Sequence, residues 1–340
     1  MVADSPRAVI LGCAGTKLSA RELVFFREIN PFGFILFQRN CNTPDQVKFL
    51  VAEMRAAVGR NDAPVLIDQE GGRVARLKPP HWRLPPAAIE FSNLADRDID
   101  RACKASKLNA RMIAFELFEL GIDVNCAPVL DLPQADADLI IGDRISGETP
   151  EKAAILGRAA CEGYFAGGVL PVIKHVPGHG RATVDSHKAL PLVDATYEDL
   201  QKFDFKPFKS LADMPCAMTA HVVFQAIDGD NPATSSARVI NDVIRGDIGF
   251  DGVLLSDDLS MQALSGSFQE RAENALEAGC DVVLHCNGKM EEMEAVIAGC
   301  KPLTTVALAR IKRASQFKES PDSFDLLDAQ QQLNQLLVEL

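Results

Sequence analysis

Large amphipathic aromatic residues and positive charge are both scarce in this sequence of 340 residues. It contains one Trp and two Tyr, and 35 Lys and Arg stand against 47 Asp and Glu, for a formal net charge of −12. The shortage of Trp and Tyr disfavours an open aromatic platform for a polymeric sugar or single-stranded nucleic acid. The negative balance argues against nucleic acid or an anionic membrane as the main partner, although a few local cations could still hold an anionic substrate.

A disulfide framework, a leader and a membrane span are also missing from the pattern. The nine cysteines are an odd number without a CxxC pair, and Cys13, Cys126 and Cys286 lie inside apolar runs. Such cysteines pack as small hydrophobes, which suits a reducing compartment. The start, MVADSPRAVILG, has no basic region followed by an uninterrupted apolar one, and no run approaches the ~20 residues of a span. We therefore expect a cytoplasmic protein.

Eight short apolar runs, rich in β-branched residues or bounded by Gly, Pro and Asp, predict the strands of a parallel sheet. Each is almost continuously apolar, as expected of a strand buried on both faces. The runs are Ala8–Ala14, Gly33–Phe37, Pro64–Asp68, Asp123–Leu130, Leu170–His175, Ala217–Val223, Gly252–Ser256 and Asp281–His285.

Segments of helical period lie between these runs. Two of them open with Thr-Pro, at Thr43 and Thr149, where Thr is a favourable N-cap and Pro fits the first turn. Repeated strand–helix alternation predicts a single (β/α)8 barrel over 1–318. An open doubly wound sheet is the alternative, but residues 12–15 provide no GxGxxG turn. The other predicted helices include one through Leu108, Met112 and Phe115, and Thr196–Asp213, Ser235–Ile248, Ser267–Ala278 and Lys289–Ile311.

After a polar stretch that begins at Glu319, a leucine stripe through Leu333, Leu336, Leu337 and Leu340 predicts a C-terminal helical extension over 319–340. We expect it to pack back on the barrel. The alternative is a helix that binds a partner or a second copy.

Ionisable residues close six consecutive predicted strands, three to eight. Burying such groups is costly unless they are paired or functional, and the carboxyl ends of barrel strands form the active-site rim. One such residue is commonly structural, whereas six in a row predict a site. These residues are Asp68 and Glu70, Asp131, Lys174 and His175, His221, Asp257 and Asp258, and His285.

The loop after the fifth strand, from Pro177, contains two glycines and leads to Asp185-Ser186-His187. In an extended segment residues i and i+2 share a side, so Asp185 can orient the His187 ring and stabilise its protonated form. A histidine so paired transfers protons near neutral pH. An Asp–His contact without catalysis is the alternative.

Asp257 ends the apolar run of the seventh strand, which would hold its carboxylate at the rim as a nucleophile. Asp258 points the other way and is expected to cap a helix or hold a loop. Taken alone, Arg76 and Arg144 would each be interpreted as a surface salt-bridge residue. Together with Asp68, they could bind the hydroxyls of a compact polar ligand. Lys174 and His175 are adjacent, so only one can point fully into the barrel, although both can reach a ligand at the rim.

At these residues the sequence resembles glycoside hydrolase family 3, and within it the bacterial cytoplasmic β-N-acetylglucosaminidases of cell-wall recycling. The resemblance spans about residues 8–312. The motifs that carry it are IDQEGGRVARL (67–77), IKHVPGHG (173–180), DSH (185–187), MTAHVVF (218–224) and GFDGVLLSDDLSM (249–261).

The resemblance implies a retaining exo-β-N-acetylglucosaminidase that acts on GlcNAc–anhydro-N-acetylmuramic acid, with or without its stem peptide. It implies Asp257 as nucleophile and His187 as acid/base with Asp185 as its partner. Binding of the sugar is expected from Asp68, Arg76, Arg144, Lys174 and His175. No metal or organic cofactor is implied, and we expect a monomer. Two departures, Ile145-Ser146 after Arg144 and Arg181 after the PGHG motif, put loop conformation and aglycone preference in question.

Three other functions fit parts of this pattern. A metal-dependent hydrolase could use His175, His179, His187, His221 and Asp257 as ligands, but no HxH follows the first strand. A Schiff-base aldolase could use Lys174. The third is a sugar-binding barrel without catalysis. The presence of the nucleophile and both dyad residues together argues against it.

Overall fold

In the computed structural model, which describes residues 5–134 and 141–338, eight parallel strands close into a barrel. Each barrel strand pairs with the next one along the chain, and β1 pairs with β10 through Val9 and Val283 to complete the ring. This confirms the single barrel and excludes the open doubly wound sheet. The barrel strands are β1 (Arg7–Leu11), β2 (Pro31–Leu36), β3 (Val65–Ile67), β4 (Val124–Asn125), β5 (Leu170–Val176), β7 (Cys216–Thr219), β9 (Val253–Asp258) and β10 (Val282–His285); β6 (Leu192–Val193) and β8 (Val223–Phe224) form a separate pair.

Helices surround the barrel. The two predicted Thr caps are confirmed, because the Thr43 and Thr149 hydroxyls accept hydrogen bonds from the third residue beyond each. The segment Val239–Asp247 is π-helical. The α-helices are α1 (Ala20–Ile29), α2 (Pro44–Val58), α3 (Ala88–Ala95), α4 (Ile99–Glu119), α5 (Pro150–Ala166), α6 (Tyr197–Lys202), α7 (Lys206–Ser210), α8 (Phe268–Ala278), α9 (Met290–Gly299), α10 (Thr305–Ser315) and α11 (Leu326–Leu337).

Two apolar layers follow from the alternation of side chains along the strands. One layer fills the barrel interior, with Leu66, Val253 and Leu255 among its members. The other lies between strands and helices and includes Ile67 and Leu254. By the same alternation, Asp68 and Asp257 continue the inward-facing rows, which places their carboxylates above the barrel interior.

Several predicted boundaries are wrong. The fourth strand was expected over Asp123–Leu130 but ends at Asn125, since Pro128 has no N–H for a ladder and the chain continues irregularly to Asp131. The sixth was expected to reach Val223 but ends at Thr219; Val223 and Phe224 pair instead with β6.

Two predicted helices are each divided in two. The segment 196–213 forms α6 and α7, and 289–311 forms α9 and α10, where Pro302 prevents a continuous helix. Helices α1 and α3 were not predicted.

The C-terminal helix α11 packs on α3 and α4, as expected of a helix folded back on the barrel. Ala329 and Leu333 are buried in a cluster with Phe91 and Met112. Arg101 of α4 donates hydrogen bonds to carbonyl groups at the end of α11, which offsets the acceptors left unpaired at a helix C-terminus. Within 5–134 and 141–338, no helix has the length and apolarity needed to cross a membrane.

Candidate active site

A cavity of about 220 Å³ opens where the carboxyl ends of the barrel strands meet. Active sites of (β/α)8 enzymes lie at this end. Seven of the eight site residues predicted from the sequence line this cavity: Asp68, Arg76, Arg144, Lys174, His175, His187 and Asp257. The eighth, Asp185, lies behind His187 and contacts its ring.

Lys174 joins two carboxylates on one wall of this cavity. Its Nζ lies 2.8 Å from Asp68 Oδ1 and 2.7 Å from Glu70 Oε1. Burial would lower the pKa of Lys174, but the two carboxylates outweigh burial and raise the pKa above its usual value. Because an ammonium held in this way is a poor nucleophile, the geometry disfavours the aldolase alternative.

Two arginines complete this charged wall. Arg76 Nη2 is 3.1 Å from Asp68 Oδ2, and Arg144 donates two hydrogen bonds to Glu70, of 2.8 and 2.9 Å. Burial would raise the pKa values of both carboxyls, but the cations outweigh it and lower them, that of Glu70 to about 2. The five groups therefore form an ionised network with one more positive than negative charge.

Arg76 has one buried donor without a partner in the part of the chain that the structure describes. Its Nε is buried and has no hydrogen-bond partner among the described residues, which is a costly state for a charged group. The guanidinium carbon lies 4.8 Å from the centre of the Phe37 ring, which also lines the cavity. A ligand hydroxyl that reached Nε would relieve this deficit.

Asp257 stands at the end of β9 with its carboxylate in the cavity and 18 % of its side chain exposed. Oδ1 accepts a hydrogen bond from the Asp258 N–H at 2.8 Å, and Oδ2 lies 4.0 Å from His175 Nε2. Burial would raise the pKa of Asp257, but His175 and His221 outweigh it and hold the pKa below its usual value. The result is an ionised carboxylate that a ligand can reach.

Both Lys174 and His175 reach the cavity, and the peptide bond between them is cis. His175 Nδ1 lies 2.7 Å from Asp131 Oδ2, and its backbone N–H donates to Asp131 Oδ1 at 3.2 Å. Asp131 is completely buried. Burial would raise its pKa, but His175 and His179 outweigh burial and lower the pKa to about 2.

Asp185 and His187 form the predicted pair, although by a different backbone geometry. Asp185 Oδ1 lies 2.8 Å from His187 Nδ1 and accepts the His187 N–H at 2.9 Å. The prediction of an extended segment is wrong: the Lys188 N–H donates to the Asp185 carbonyl, so the chain turns here. An aspartate that binds the backbone two residues ahead favours such a turn. The His187 side chain is 61 % exposed, as a group that meets a ligand from solvent must be.

The loop that carries this pair is held by one contact within the loop and by one to the segment between α6 and α7. His179 Nε2 lies 3.0 Å from Ser186 Oγ. Arg181, at the position of the second departure from the family pattern, donates to buried Asp204 at 2.7 Å. The altered residue therefore has a structural partner of its own.

The remaining strand-end residues support the site or lie away from it. Asp258 accepts hydrogen bonds from the Ser260 and Cys286 N–H groups and so holds a loop, as predicted. His221 Nε2 is 3.0 Å from the Asp258 carbonyl oxygen. His285 is buried against Phe268, outside the cavity; its position at the end of β10 did not make it a site residue.

Sequence reasoning gave Glu70 no specific role in the site and missed the supporting roles of Asp131, His179 and Ser186. Glu70 belongs to the motif at 67–77, but it follows the strand, where alternation no longer tells which way a side chain points. For Asp131 the signal was its place after an apolar run; its partners are 44 and 48 residues away in the chain.

Two further observations concern the alternatives. Within 5–134 and 141–338, no three His, Cys, Asp or Glu side chains are grouped so that they could hold a metal ion. A second cavity, of about 460 Å³, has a mostly apolar lining and includes Ile10, Leu66 and Ile311. It lies toward the amino ends of the strands, away from the ionised groups.

The first cavity thus combines an accessible ionised carboxylate, a charged wall rich in donors and an exposed histidine backed by a carboxylate. A nucleophile and a separate proton donor around one cavity can cleave an acetal bond by double displacement. The cavity is small, which suits a single sugar ring.

Residues 20–316 match the family model described as the Glycosyl hydrolase family 3 N terminal domain. A β-hexosaminidase from Alkalilimnicola ehrlichii is 39 % identical over 283 residues, which cover 82 % of this chain and 80 % of the relative.

Solved structures agree with this similarity. Native NagZ from Neisseria gonorrhoeae superposes with a TM-score of 0.88 at 32 % identity, with all of both chains covered. A glycoside hydrolase family 3 β-N-acetylglucosaminidase from Paenibacillus gives a TM-score of 0.84 at 30 % identity, and 97 % of this chain spans 66 % of that longer one.

Proposed function

Since this chain belongs to glycosyl hydrolase family 3 and is a glycoside hydrolase of the β-N-acetylhexosaminidase type, we propose that it removes N-acetylglucosamine from the nonreducing end of muropeptides with retention of configuration. The substrate is GlcNAc–anhydro-N-acetylmuramic acid, with or without a stem peptide. The observation that carries the proposal is the convergence of ionised Asp257 and the His187–Asp185 pair on one small cavity.

In the first step an Asp257 oxygen attacks the anomeric carbon while the bond from that carbon to the leaving oxygen breaks. His187 Nδ1 is engaged by Asp185, so Nε2 is the atom left to give its proton to the leaving oxygen. In the second step neutral His187 takes a proton from water, and the water oxygen attacks the anomeric carbon. The bond to Asp257 breaks and the carboxylate is restored.

The sugar ring is proposed to lie against the charged wall, bound by Asp68, Arg76, Arg144, Lys174 and His175. Each of these groups is already held by a partner or by burial, so little conformational entropy is lost on binding.

The histidine–aspartate pair suits an anionic leaving group. Anhydro-N-acetylmuramic acid carries a carboxylate, and a protonated histidine presents a positive charge to it, whereas a protonated glutamic acid is neutral. We also propose that the enzyme acts in peptidoglycan recycling in the cytoplasm, as a monomer that needs no metal or organic cofactor. Nucleic acid and membranes are not proposed as partners. We also propose a division into a catalytic barrel (1–318) and a helical extension (319–340). Residues 1–4, 135–140 and 339–340 of these two segments lie outside the described part of the chain.

The test is hydrolysis of a chromogenic aryl β-N-acetylglucosaminide and of GlcNAc–anhydro-N-acetylmuramic acid, with EDTA present. Asp257→Ala should abolish both reactions. The kcat/KM of His187→Ala should fall by on the order of 10²-fold or more for the natural disaccharide and much less for the aryl glycoside, whose leaving group needs no proton. Asp62→Ala and His81→Ala, at exposed positions, are the matched controls.

Equal losses on the two substrates would remove His187 from the role of acid. Activity of the wild type on the aryl glycoside without activity on the muropeptide disaccharide would overturn the proposed substrate and leave the mechanism in place.

A further inference from the structure

One buried carboxylate, Asp131, touches both sides of the active site. It follows β4 and accepts three hydrogen bonds: Oδ1 from the backbone N–H of His175 at 3.2 Å and of His179 at 2.7 Å, and Oδ2 at 2.7 Å from His175 Nδ1. Three donors around one fully buried carboxylate keep it ionised and rigid.

The first arm runs from Asp131 to the nucleophile. Because ionised Asp131 is only an acceptor, the ring nitrogen that faces it, His175 Nδ1, must carry a hydrogen. The opposite nitrogen, Nε2, is thereby aimed at Asp257, 4.0 Å away. The carboxylate thus fixes both the ring orientation of His175 and which of its nitrogens faces the sugar and the nucleophile.

The second arm runs from Asp131 to the loop. The His179 backbone is held by Asp131, and its ring Nε2 lies 3.0 Å from Ser186 Oγ. Ser186 stands between Asp185 and His187, and its carbonyl oxygen accepts the Ala263 N–H at 3.2 Å. The loop is therefore connected to the barrel interior at the residue between the members of the acid/base pair.

We propose that Asp131 is a positioning residue that fixes two parts of the reaction machinery at once, His175 beside Asp257 and the loop that carries Asp185 and His187. The first arm concerns the β-N-acetylhexosaminidase reaction itself. The second arm rests on the acid/base assignment proposed above. Asp131 acts only through its two histidines; the sugar is bound and cleaved by other groups.

The variant Asp131→Asn separates this role from simple filling of space. An asparagine can present its oxygen to the two backbone N–H groups, but its NH₂ group then faces His175 Nδ1. Since NH₂ is a donor, Nδ1 must become the acceptor and only Nε2 can carry a hydrogen, so the ring loses the Nδ1–H that Asp131 holds in the wild type. The variant therefore keeps the shape of the side chain at position 131 and changes the tautomer of His175.

The first measurement compares kcat on an aryl β-N-acetylglucosaminide for the wild type, Asp131→Asn and a matched control, Asp281→Asn. Asp281 is a buried aspartate directly before β10, bound to Arg245 and Arg310 and far from the cavity. We expect Asp131→Asn to lose roughly 10- to 100-fold in kcat, whereas Asp281→Asn lowers thermal stability and leaves kcat unchanged. Equal kcat for Asp131→Asn and the wild type, or equal losses in both variants, would overturn the proposal.

The second arm is tested with Ser186→Ala, which leaves Asp131 and His175 in place. We expect kcat/KM on N,N′-diacetylchitobiose, whose leaving group needs a proton, to fall roughly tenfold, and kcat/KM on the aryl glycoside to change by less than about twofold. An equal change on both substrates would refute this arm. If the acid/base assignment itself is wrong, His187→Ala shows it directly, and the first arm is unaffected.

Nitrogen NMR of ¹⁵N-histidine-labelled wild type tests the first arm even if Asp131→Asn fails to fold. The His175 signal is assigned by its disappearance in His175→Gln. The proposal requires that His175 Nδ1 carries a hydrogen whether the ring is neutral or protonated. In folded Asp131→Asn it requires that the hydrogen lies on Nε2 instead. A neutral His175 ring with bare Nδ1 in the wild type would overturn it.

Discussion

Glu70→Gln is the perturbation that most directly probes the charged wall. Glu70 is 6 % exposed and accepts two hydrogen bonds from Arg144, and its Oε1 lies 2.7 Å from Lys174 Nζ. Glutamine keeps the shape but leaves two buried cations facing a neutral amide. Removing one partner of a buried ion pair costs about 3–5 kcal/mol. The lowered pKa of Glu70, about 2 against a usual value of 4.5, corresponds to about 3 kcal/mol by linkage.

The direction of the Glu70 pKa shift determines how its contribution to stability depends on pH. Because the folded-state pKa is lower than the unfolded one, the stabilisation is complete above about pH 4.5 and is lost as the pH falls through about 2. The free energy of unfolding of Glu70→Gln should lie about 3 kcal/mol below that of the wild type at pH 7, and the gap should narrow below pH 4.5. For a chain of 340 residues this corresponds to a Tm lower by about 4 °C.

The assay is equilibrium urea unfolding at pH 7 and at two pH values below 4.5, with Glu162→Gln as the control. Glu162 is half-exposed and pairs with Lys107, so its removal should cost no more than about 1 kcal/mol. A Glu70→Gln protein as stable as the wild type at pH 7, or a gap that stays constant in acid, would refute the ionised network.

Three further changes probe other parts of the molecule. Lys174→Met should raise KM for the aryl glycoside at least tenfold, since two carboxylates then face the sugar without their shared cation; an unchanged KM contradicts its place in the binding wall. Leu333→Ala should cost about 2–5 kcal/mol of unfolding free energy and leave kcat unchanged, because the leucine is fully buried between α11 and α4 and remote from the cavity; a loss of activity in the folded protein would connect the C-terminal helix to the site. Burial lowers the pKa of His179 to about 4, so its contribution to stability is complete above about 6.5 and is lost as the pH falls toward 4; urea unfolding of His179→Gln should show a smaller fall over this range than the wild type.

The barrel could be predicted because each strand is almost continuously apolar and several end in ionisable groups. Inward-facing rows such as Val253, Leu255 and Asp257 follow from simple alternation. What could not be predicted are the places where backbone chemistry interrupts the pattern. Pro128 ends the fourth strand early, and Pro302 divides the last long helix.

The site was predictable where residues are close in sequence, and incompletely where they meet only in space. Asp185 and His187 are two residues apart, so their contact was predicted although the turn was not. Glu70, Asp131 and Ser186 lie in irregular segments, where no periodicity tells the direction of a side chain. Their partners come from other strands and loops, so only the folded chain shows that they belong to the site.

Trapping of the covalent intermediate tests the central claim most directly. A fluorinated N-acetylglucosaminyl substrate with an activated leaving group should accumulate the glycosyl ester, and mass spectrometry of the digested protein should locate it. The proposal predicts one sugar on the peptide that contains Asp257, no adduct in Asp257→Ala, and a β-configured product by NMR during normal turnover. An adduct on another residue, or turnover to the α-anomer without any adduct, would contradict the assignment of Asp257 as the nucleophile.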